Sequence, residues 1–231
     1  MLGIVVELIV SWILIWLFER KDLSVLGLTP SRERVENFVF GIVAAAGTCF
    51  IYYLAVGYIT GGNWAANENF GFQSFLNGSW WTLRSVLFEE LIFRGALLYI
   101  AIRKVGLTIG CAISAICFGI YHWFSYNVFG DVVQMLFIFL VTGIAGLMFA
   151  FAFGVTRSLY LPIALHYAYN FTAYVIFSNG PLGEQLLILQ NGIQTSGILS
   201  MTASAFQLLA LPLIVFWYLR RLRKVPNAVR W

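Results

Sequence analysis

Charged side chains are scarce in this sequence, whereas apolar side chains are abundant. Only 10% of the residues are charged, 61% are hydrophobic, and the mean hydropathy is +0.85. Soluble domains average about 45–50% apolar and about 25% charged residues. The composition therefore excludes an ordinary soluble globular domain.

Cysteine and histidine are also rare. The three cysteines, Cys49, Cys111 and Cys117, all lie within apolar runs. An odd number of thiols without a metal-ligand spacing predicts neither a disulfide framework nor a recurrent metal motif, so we expect packing residues. The only histidines are His122 and His166, which makes their positions informative.

Long stretches of alternating apolar and polar residues are missing, which excludes a transmembrane β-barrel. Continuous apolar runs of roughly 20 residues, the length that a membrane-spanning helix needs, recur along the chain. We predict an all-α, polytopic transmembrane helical bundle that forms a single integral membrane domain over residues 1–231. About seven spans are expected, near residues 2–18, 37–59, 80–102, 105–126, 131–153, 158–177 and 197–219.

Lysine and arginine are missing from three of the predicted loops, near residues 60–79, 127–131 and 178–196. They occur in the alternate loops and in the C-terminal tail, at Arg20, Lys21, Arg32, Arg34, Arg103, Lys104, Arg157, Arg220, Arg221, Arg223, Lys224 and Arg230. Because basic loops stay cytoplasmic, we predict an N-terminus outside and a C-terminus in the cytoplasm. Topology explains the basic tail, so we expect membrane lipids and no nucleic acid as partners.

A few polar side chains interrupt the predicted spans. Ionisable groups in a span are expensive and usually face an internal cavity, so these residues form the candidate site. They are Glu89, Glu90, Arg94, His122, His166 and Asn170.

The acidic pair can be sorted by helix geometry. At about 100° per residue, Glu90 and Arg94 lie about 40° apart and one turn from each other, whereas Glu89 points about 100° away from Glu90. We therefore predict a Glu90–Arg94 ion pair and a Glu89 carboxylate that is available as a general base. The alternative is a buried salt bridge that only locks the helices together, but it leaves Glu89 without a role.

His166 and Asn170 are also four residues apart, on one helix face. Taken singly, such groups are usually hydrogen-bonded between helices; catalysis requires that they share a depth with Glu89. Glu89 lies nine residues after Trp80, or about 13 Å along a helix, and His166 reaches a similar level from the other side. His122 directly precedes Trp123, which suggests a shallower position, so the sequence leaves its place in the cluster open.

The order EExxxR (from Glu89), FxxxH (from Phe118) and HxxxN (from His166) resembles the CAAX-protease and bacteriocin-processing family. This family is also called Abi and includes the type II CAAX prenyl endopeptidases. The resemblance covers about residues 80–175 and implies an intramembrane protease whose catalytic core is that segment. "DLSVLGLTP" (22–30) is similar to a segment common in bacterial members, so a bacterial cell membrane is expected.

The resemblance also implies residue roles. Glu89 would be the general base that activates a water, and His122 would hold that water. His166 and Asn170 would stabilise the oxyanion of the tetrahedral intermediate, and Arg94 would hold the second carboxylate of the EExxxR motif in place.

The family is classed as metalloprotease, which raises the question of a metal. Glu89, His122 and His166 would make an acceptable zinc set. However, no HExxH helix is present, and a water activated by glutamate needs no ion. We expect a metal-independent site and keep zinc open as the alternative.

The substrate class stays open at this point, because prenylated CAAX tails, bacteriocin or pheromone leaders and other membrane peptides all fit. Two other functions also stay open: a proton-coupled transporter, whose polar groups would be strung across the membrane, and an inactive immunity or scaffold protein. Residues 181–196 are expected to form an ordinary loop rather than an amphipathic gate.

Overall fold

The computed structural model describes residues 2–177, 183–193 and 198–223. This part of the chain contains eight α-helices and one two-stranded sheet. The helices are α1 (Leu2–Glu19), α2 (Arg32–Ile59), α3 (Phe72–Arg94), α4 (Ala96–Val105), α5 (Leu107–Ser125), α6 (Val132–Thr156), α7 (Tyr160–Phe171) and α8 (Ile198–Arg223), and the strands are β1 (Asn63–Ala66) and β2 (Leu187–Gln190).

Five of these helices, α1, α2, α5, α6 and α8, are long and apolar enough to cross a membrane. The prediction of an all-α, polytopic integral membrane protein is confirmed. The helices that replace the predicted spans 80–102 and 158–177 are shorter or more polar, and they carry most of the candidate site. That the whole chain forms one domain stays a prediction.

The predicted span 80–102 is wrong in its bounds, because it is two helices. α3 begins eight residues earlier, at Phe72, and ends at Arg94; α4 follows at Ala96. Gly95 separates them with backbone angles of φ −77° and ψ −132°, and a Cβ there would collide with the carbonyl oxygen of Leu91. Glu89, Glu90 and Arg94 therefore lie in the last two turns of α3 instead of the middle of a span.

The predicted span 158–177 also changes character along its length. α7 ends at Phe171, and the chain continues as a π-helical segment over Thr172–Phe177. π-Helical turns are rare and often occur at functional sites. This one begins two residues after Asn170.

The basic loops meet at one end of the bundle. Arg103, at the end of α4, pairs with Glu19, at the end of α1, over 3.3 Å. The Ser158 hydroxyl, before α7, donates to the carbonyl of Gly27, before α2, over 2.9 Å. The predicted topology requires the basic loops to lie on one side of the membrane, and their position at one end of the bundle agrees with this. Which side of the membrane this end faces stays a prediction.

At the other end of the bundle, two loops pair to form the small sheet. β1 and β2 are antiparallel, with Asn63 opposite Gln190 and Ala66 opposite Leu187. The expected ordinary loop at 181–196 is therefore wrong for residues 187–190, whose side chains alternate between partly buried and exposed positions. Residues 181, 182 and 194–196 of that segment lie outside the described part of the chain.

Two apolar clusters flank the end of α3. One joins α1, α4, α5 and α6 around Leu98, Phe153 and Leu159, and the other joins α2, α6, α7 and α8 around Phe149 and Leu165. The polar residues of α3 thus lie next to buried apolar side chains: Leu91 belongs to the first cluster, and Phe149, which contacts Arg94, belongs to the second.

The cysteines do not share one environment. Cys49 and Cys111 are buried, as expected of packing residues. Cys117 is exposed on α5, so the expectation is wrong for it, because its side chain points away from the bundle.

Candidate active site

Five ionisable side chains from three helices are buried together inside the bundle. Glu89, Glu90 and Arg94 come from α3, His122 from α5 and His166 from α7. None is more than 9% exposed, and Glu90 and Arg94 are fully buried. In the described ranges, these are the only Asp, Glu, Lys, Arg or His residues in the buried class.

Both terminal nitrogens of the Arg94 guanidinium donate hydrogen bonds. Its Nη1 donates to Glu90 Oε1 over 3.2 Å, one helical turn away, and its Nη2 donates to the backbone carbonyl of Gly146 on α6, also over 3.2 Å. The guanidinium carbon lies 4.1 Å from the centre of the Phe118 ring. The ion pair follows the four-residue spacing within α3, and the hydrogen bond to Gly146 ties α3 to α6.

His166 is fixed by the same carboxylate. Its Nδ1 lies 2.8 Å from Glu90 Oε1, and because a carboxylate only accepts, Nδ1 carries the hydrogen. The ring stacks on Phe149, with 4.7 Å between centroids and 18° between planes. In the neutral ring, the lone pair is then on Nε2.

His122 is fixed by the backbone of its own helix. Its Nδ1 donates to the carbonyl of Phe118 over 2.8 Å, and the Phe118 ring contacts it edge-on at 4.4 Å between centroids. The neutral His122 ring therefore also presents its lone pair on Nε2.

Both Nε2 atoms face one carboxylate oxygen. Glu89 Oε2 lies 3.8 Å from Nε2 of His166 and 3.9 Å from Nε2 of His122. These distances are too long for direct hydrogen bonds and suit a single bridging water. Within the described residues, Oε2 is buried and accepts no hydrogen bond, while Oε1 accepts from the Ser85 hydroxyl over 3.5 Å.

This geometry settles the question of depth that the sequence left open. His122 comes as near to Glu89 as His166 does, within 0.1 Å. The position of Trp123 next to His122 therefore does not remove that histidine from the cluster.

Asn170 lies one turn after His166 on α7 and is half-buried. Its side chain makes no hydrogen bond to the described residues, so its amide is available as a donor. Among the described residues, no hydrogen bond joins it to the five buried groups.

The structure adds residues that the sequence interpretation did not include. Gly146 and Phe149 of α6 contact Arg94 and His166, but a glycine and a phenylalanine in an apolar helix carry no distinguishing signal. Ser85 could have been found, since it precedes Glu89 by one turn. Arg84 is a further charged residue inside the predicted span 80–102, and the sequence shows it directly.

The arrangement of the carboxylates and imidazoles bears on whether the site can hold a metal. Across the described ranges, no group of three or more His, Cys, Asp or Glu side chains is arranged to hold a metal ion. Glu89, His122 and His166 are chemically suitable ligands, but as placed they do not form such a group.

Comparison with known proteins bears on the central part of the chain. Residues 71–172 match the family described as "Type II CAAX prenyl endopeptidase Rce1-like", which confirms the resemblance that the motifs suggested. The match spans somewhat less than half of the chain and supports an intramembrane peptidase, acting on a peptide or protein substrate in a membrane, at the level of the family. No curated protein and no solved structure matches the chain.

Proposed function

We propose that this chain, given its Rce1-like segment at residues 71–172, is an endopeptidase that cleaves membrane-associated peptides or protein tails with a water activated by Glu89. The observation that carries the proposal is the approach of two imidazole Nε2 atoms to Glu89 Oε2, at 3.8 and 3.9 Å. General-base catalysis needs a base that contacts the water and acceptors that orient it.

The first step is attack by water. The water donates one hydrogen to Glu89 Oε2 and the other to the lone pair of a histidine, which points an oxygen lone pair toward the substrate. Glu89 takes the proton as the oxygen bonds to the scissile carbonyl carbon, and the carbonyl oxygen becomes an oxyanion.

The second step is collapse of the tetrahedral intermediate. The Asn170 amide donates a hydrogen bond to the oxyanion, as the resemblance implies. His166 uses its Nδ1 hydrogen on Glu90, so it donates to the oxyanion only when its ring is protonated. Glu89 returns its proton to the leaving nitrogen as the carbon–nitrogen bond breaks.

Glu90 and Arg94 act as positioning residues in this scheme. Both are fully buried, and Glu90 connects Arg94 to His166 through one oxygen. Through Oε1, this buried carboxylate orients the His166 imidazole, and the scheme gives it no part in proton transfer.

The proposed reaction uses no metal. Because the residues do not fit a metal site as they are placed, no step is assigned to zinc. CAAX-type processing and maturation of bacteriocin-like peptides are both compatible with the mechanism.

The transporter alternative finds no support in the geometry. A proton path needs ionisable groups strung across the membrane. Here the acidic, basic and histidine residues of the buried class, among the described residues, form one cluster. Only a cleavage assay distinguishes an inactive immunity or scaffold protein from an enzyme.

The test is a comparison of peptide termini in the membranes of cells that produce the wild-type protein or Glu89→Ala. New termini should appear only with the wild-type protein. A matched control is Glu68→Ala, which removes an exposed carboxylate in the loop after β1 and should leave the termini unchanged. Identical termini from wild-type and Glu89→Ala cells, at equal amounts of folded protein, would contradict the proposal.

A further inference from the structure

A second concave feature lies beside the site, between the beginning of α1 and one face of α3. It is a pocket of about 290 Å³. Gly3 and Ile4 line it from α1, and Trp81, Arg84, Ser85 and Phe88 line it from α3. The mechanism above does not use it.

The pocket adjoins the proposed general base through Ser85. Ser85 lines the pocket, and its hydroxyl is the donor to Glu89 Oε1 at 3.5 Å. A peptide whose scissile bond lies at Glu89 could therefore extend into this space on one side of the cut.

Arg84 gives the pocket its charge. It is exposed, and among the described residues no carboxylate pairs with it. Its planar guanidinium binds a carboxylate through two parallel hydrogen bonds, while Trp81 and Phe88 offer apolar walls beside it.

We propose that Arg84 is a specificity residue that binds the free C-terminal carboxylate of the substrate, while the pocket holds the tail that is released. This inference rests on the proposed function. Charge complementarity identifies the ligand. The Arg84 guanidinium has no carboxylate partner among the described residues, and a free peptide C-terminus always carries a carboxylate. Along the axis of α3, Arg84 and Glu89 are about 7.5 Å apart. An extended peptide covers this distance with about two residues, so we expect the released C-terminal tail to be short.

The experiment uses a library of apolar decapeptides in detergent, made once with a free C-terminal acid and once with a C-terminal amide. We expect the wild-type protein to prefer the acid by about ten- to hundredfold in kcat/KM, the range that a hydrogen bond to a charged group supports. Arg84→Gln should lose this preference and cleave the amide as the wild-type protein does. Arg84→Lys should keep part of it, because the charge is retained.

The control variant is Arg32→Gln, which removes an exposed arginine at the beginning of α2 that forms an ion pair with Glu36 over 2.8 Å. It should keep the full preference. Equal cleavage of acid and amide by the wild-type protein would overturn the proposal. Equal losses on both peptides in Arg84→Gln would also overturn it, and would indicate a role in folding or in binding a lipid phosphate.

A second readout separates this proposal from the proposed function. Binding of the same paired peptides to Glu89→Gln protein, measured by fluorescence anisotropy, requires no turnover. Tighter binding of the acid than of the amide, lost with the additional Arg84→Gln change, supports the carboxylate site even if no peptide is cleaved. Equal binding contradicts the carboxylate site even if cleavage by Glu89 is established.

Discussion

Glu90 Oε1 accepts hydrogen bonds from His166 Nδ1 at 2.8 Å and from Arg94 Nη1 at 3.2 Å. Glu89, its neighbour in sequence, instead directs Oε2 toward two imidazole lone pairs. Adjacent carboxylates on one helix therefore have different surroundings: Glu90 accepts two hydrogen bonds from fixed donors through Oε1, and Glu89 faces the space where a water is proposed to bind. This difference underlies the predictions that follow.

Replacing Arg94 should destabilise the protein strongly. Arg94→Met leaves Glu90 buried without its cationic partner, and breaking a buried ion pair in this way costs about 3–5 kcal/mol. The loss of stability is measured as the decrease in the free energy of unfolding in mixed micelles. Arg103→Met, which breaks an ion pair at the exposed end of α4, should lose at most about 1 kcal/mol; similar losses for both variants would contradict the burial argument.

Gly146 should not tolerate a side chain. A Cβ at this position would lie 2.8 Å from Phe118 Cδ1 and 3.3 Å from Arg94 Nη2. Overpacking of this kind costs about 1–3 kcal/mol, so Gly146→Ala should lower the unfolding free energy and the cleavage rate together. Gly143→Ala is the matched control on the same helix, because the nearest atom to its Cβ would be 3.9 Å away. This change should leave stability and cleavage rate unaltered. An equal effect of both changes would contradict the steric explanation.

Asn170 should matter for rate and little for stability. Loss of one oxyanion donor lowers kcat by about 10²–10³ in known hydrolases, and the Asn170 side chain makes no hydrogen bond within the described structure that folding would lose. Asn170→Ala is therefore expected to unfold at a temperature close to that of the wild-type protein while its single-turnover rate falls.

Asn37 offers the opposite control. It is buried, and its Oδ1 accepts from the Tyr218 hydroxyl over 2.6 Å, far from the site in sequence. Asn37→Ala should lower stability and leave the cleavage rate of the folded fraction unchanged. A rate loss in Asn170→Ala that only parallels a loss of folded protein would rule out its role as an oxyanion donor.

Cleavage should not depend on a bound metal. The purified protein is expected to contain substoichiometric metal by elemental analysis and to retain its rate after treatment with 1,10-phenanthroline, because the donor atoms are not arranged as a metal site. Stoichiometric zinc that disappears in His122→Ala would show instead that Glu89, His122 and His166 close around an ion.

Much of the fold follows from the sequence, because the physical signals are local. Runs of apolar residues identify α1, α2, α5, α6 and α8, and the four-residue spacing of Glu90 and Arg94 is sufficient to pair them. The break at Gly95 is less apparent, because α4 continues the apolar pattern and the steric reason for glycine depends on the Leu91 carbonyl.

Other features depend on tertiary contacts that no local pattern reports. The pairing of Glu90 with His166 spans 76 positions. Gly146 contacts Arg94 through its backbone carbonyl, a group that every residue carries, so the sequence gives no sign of this contact. β2 pairs with β1 from a loop more than a hundred residues away. The π-helical turn after α7 likewise has no sequence signature, since its residues are ordinary apolar and aromatic ones.

The most direct test of the account is the single-turnover cleavage rate of Glu89→Gln beside that of Glu68→Gln, on one cleaved peptide in detergent. Glu89→Gln keeps the size and shape of the side chain, but it removes the negative charge and the ability to take a proton. We predict a loss of about 10²-fold or more for Glu89→Gln, with unchanged peptide binding, and a wild-type rate for Glu68→Gln. A Glu89→Gln rate within a few-fold of wild type would contradict a water activated by this carboxylate.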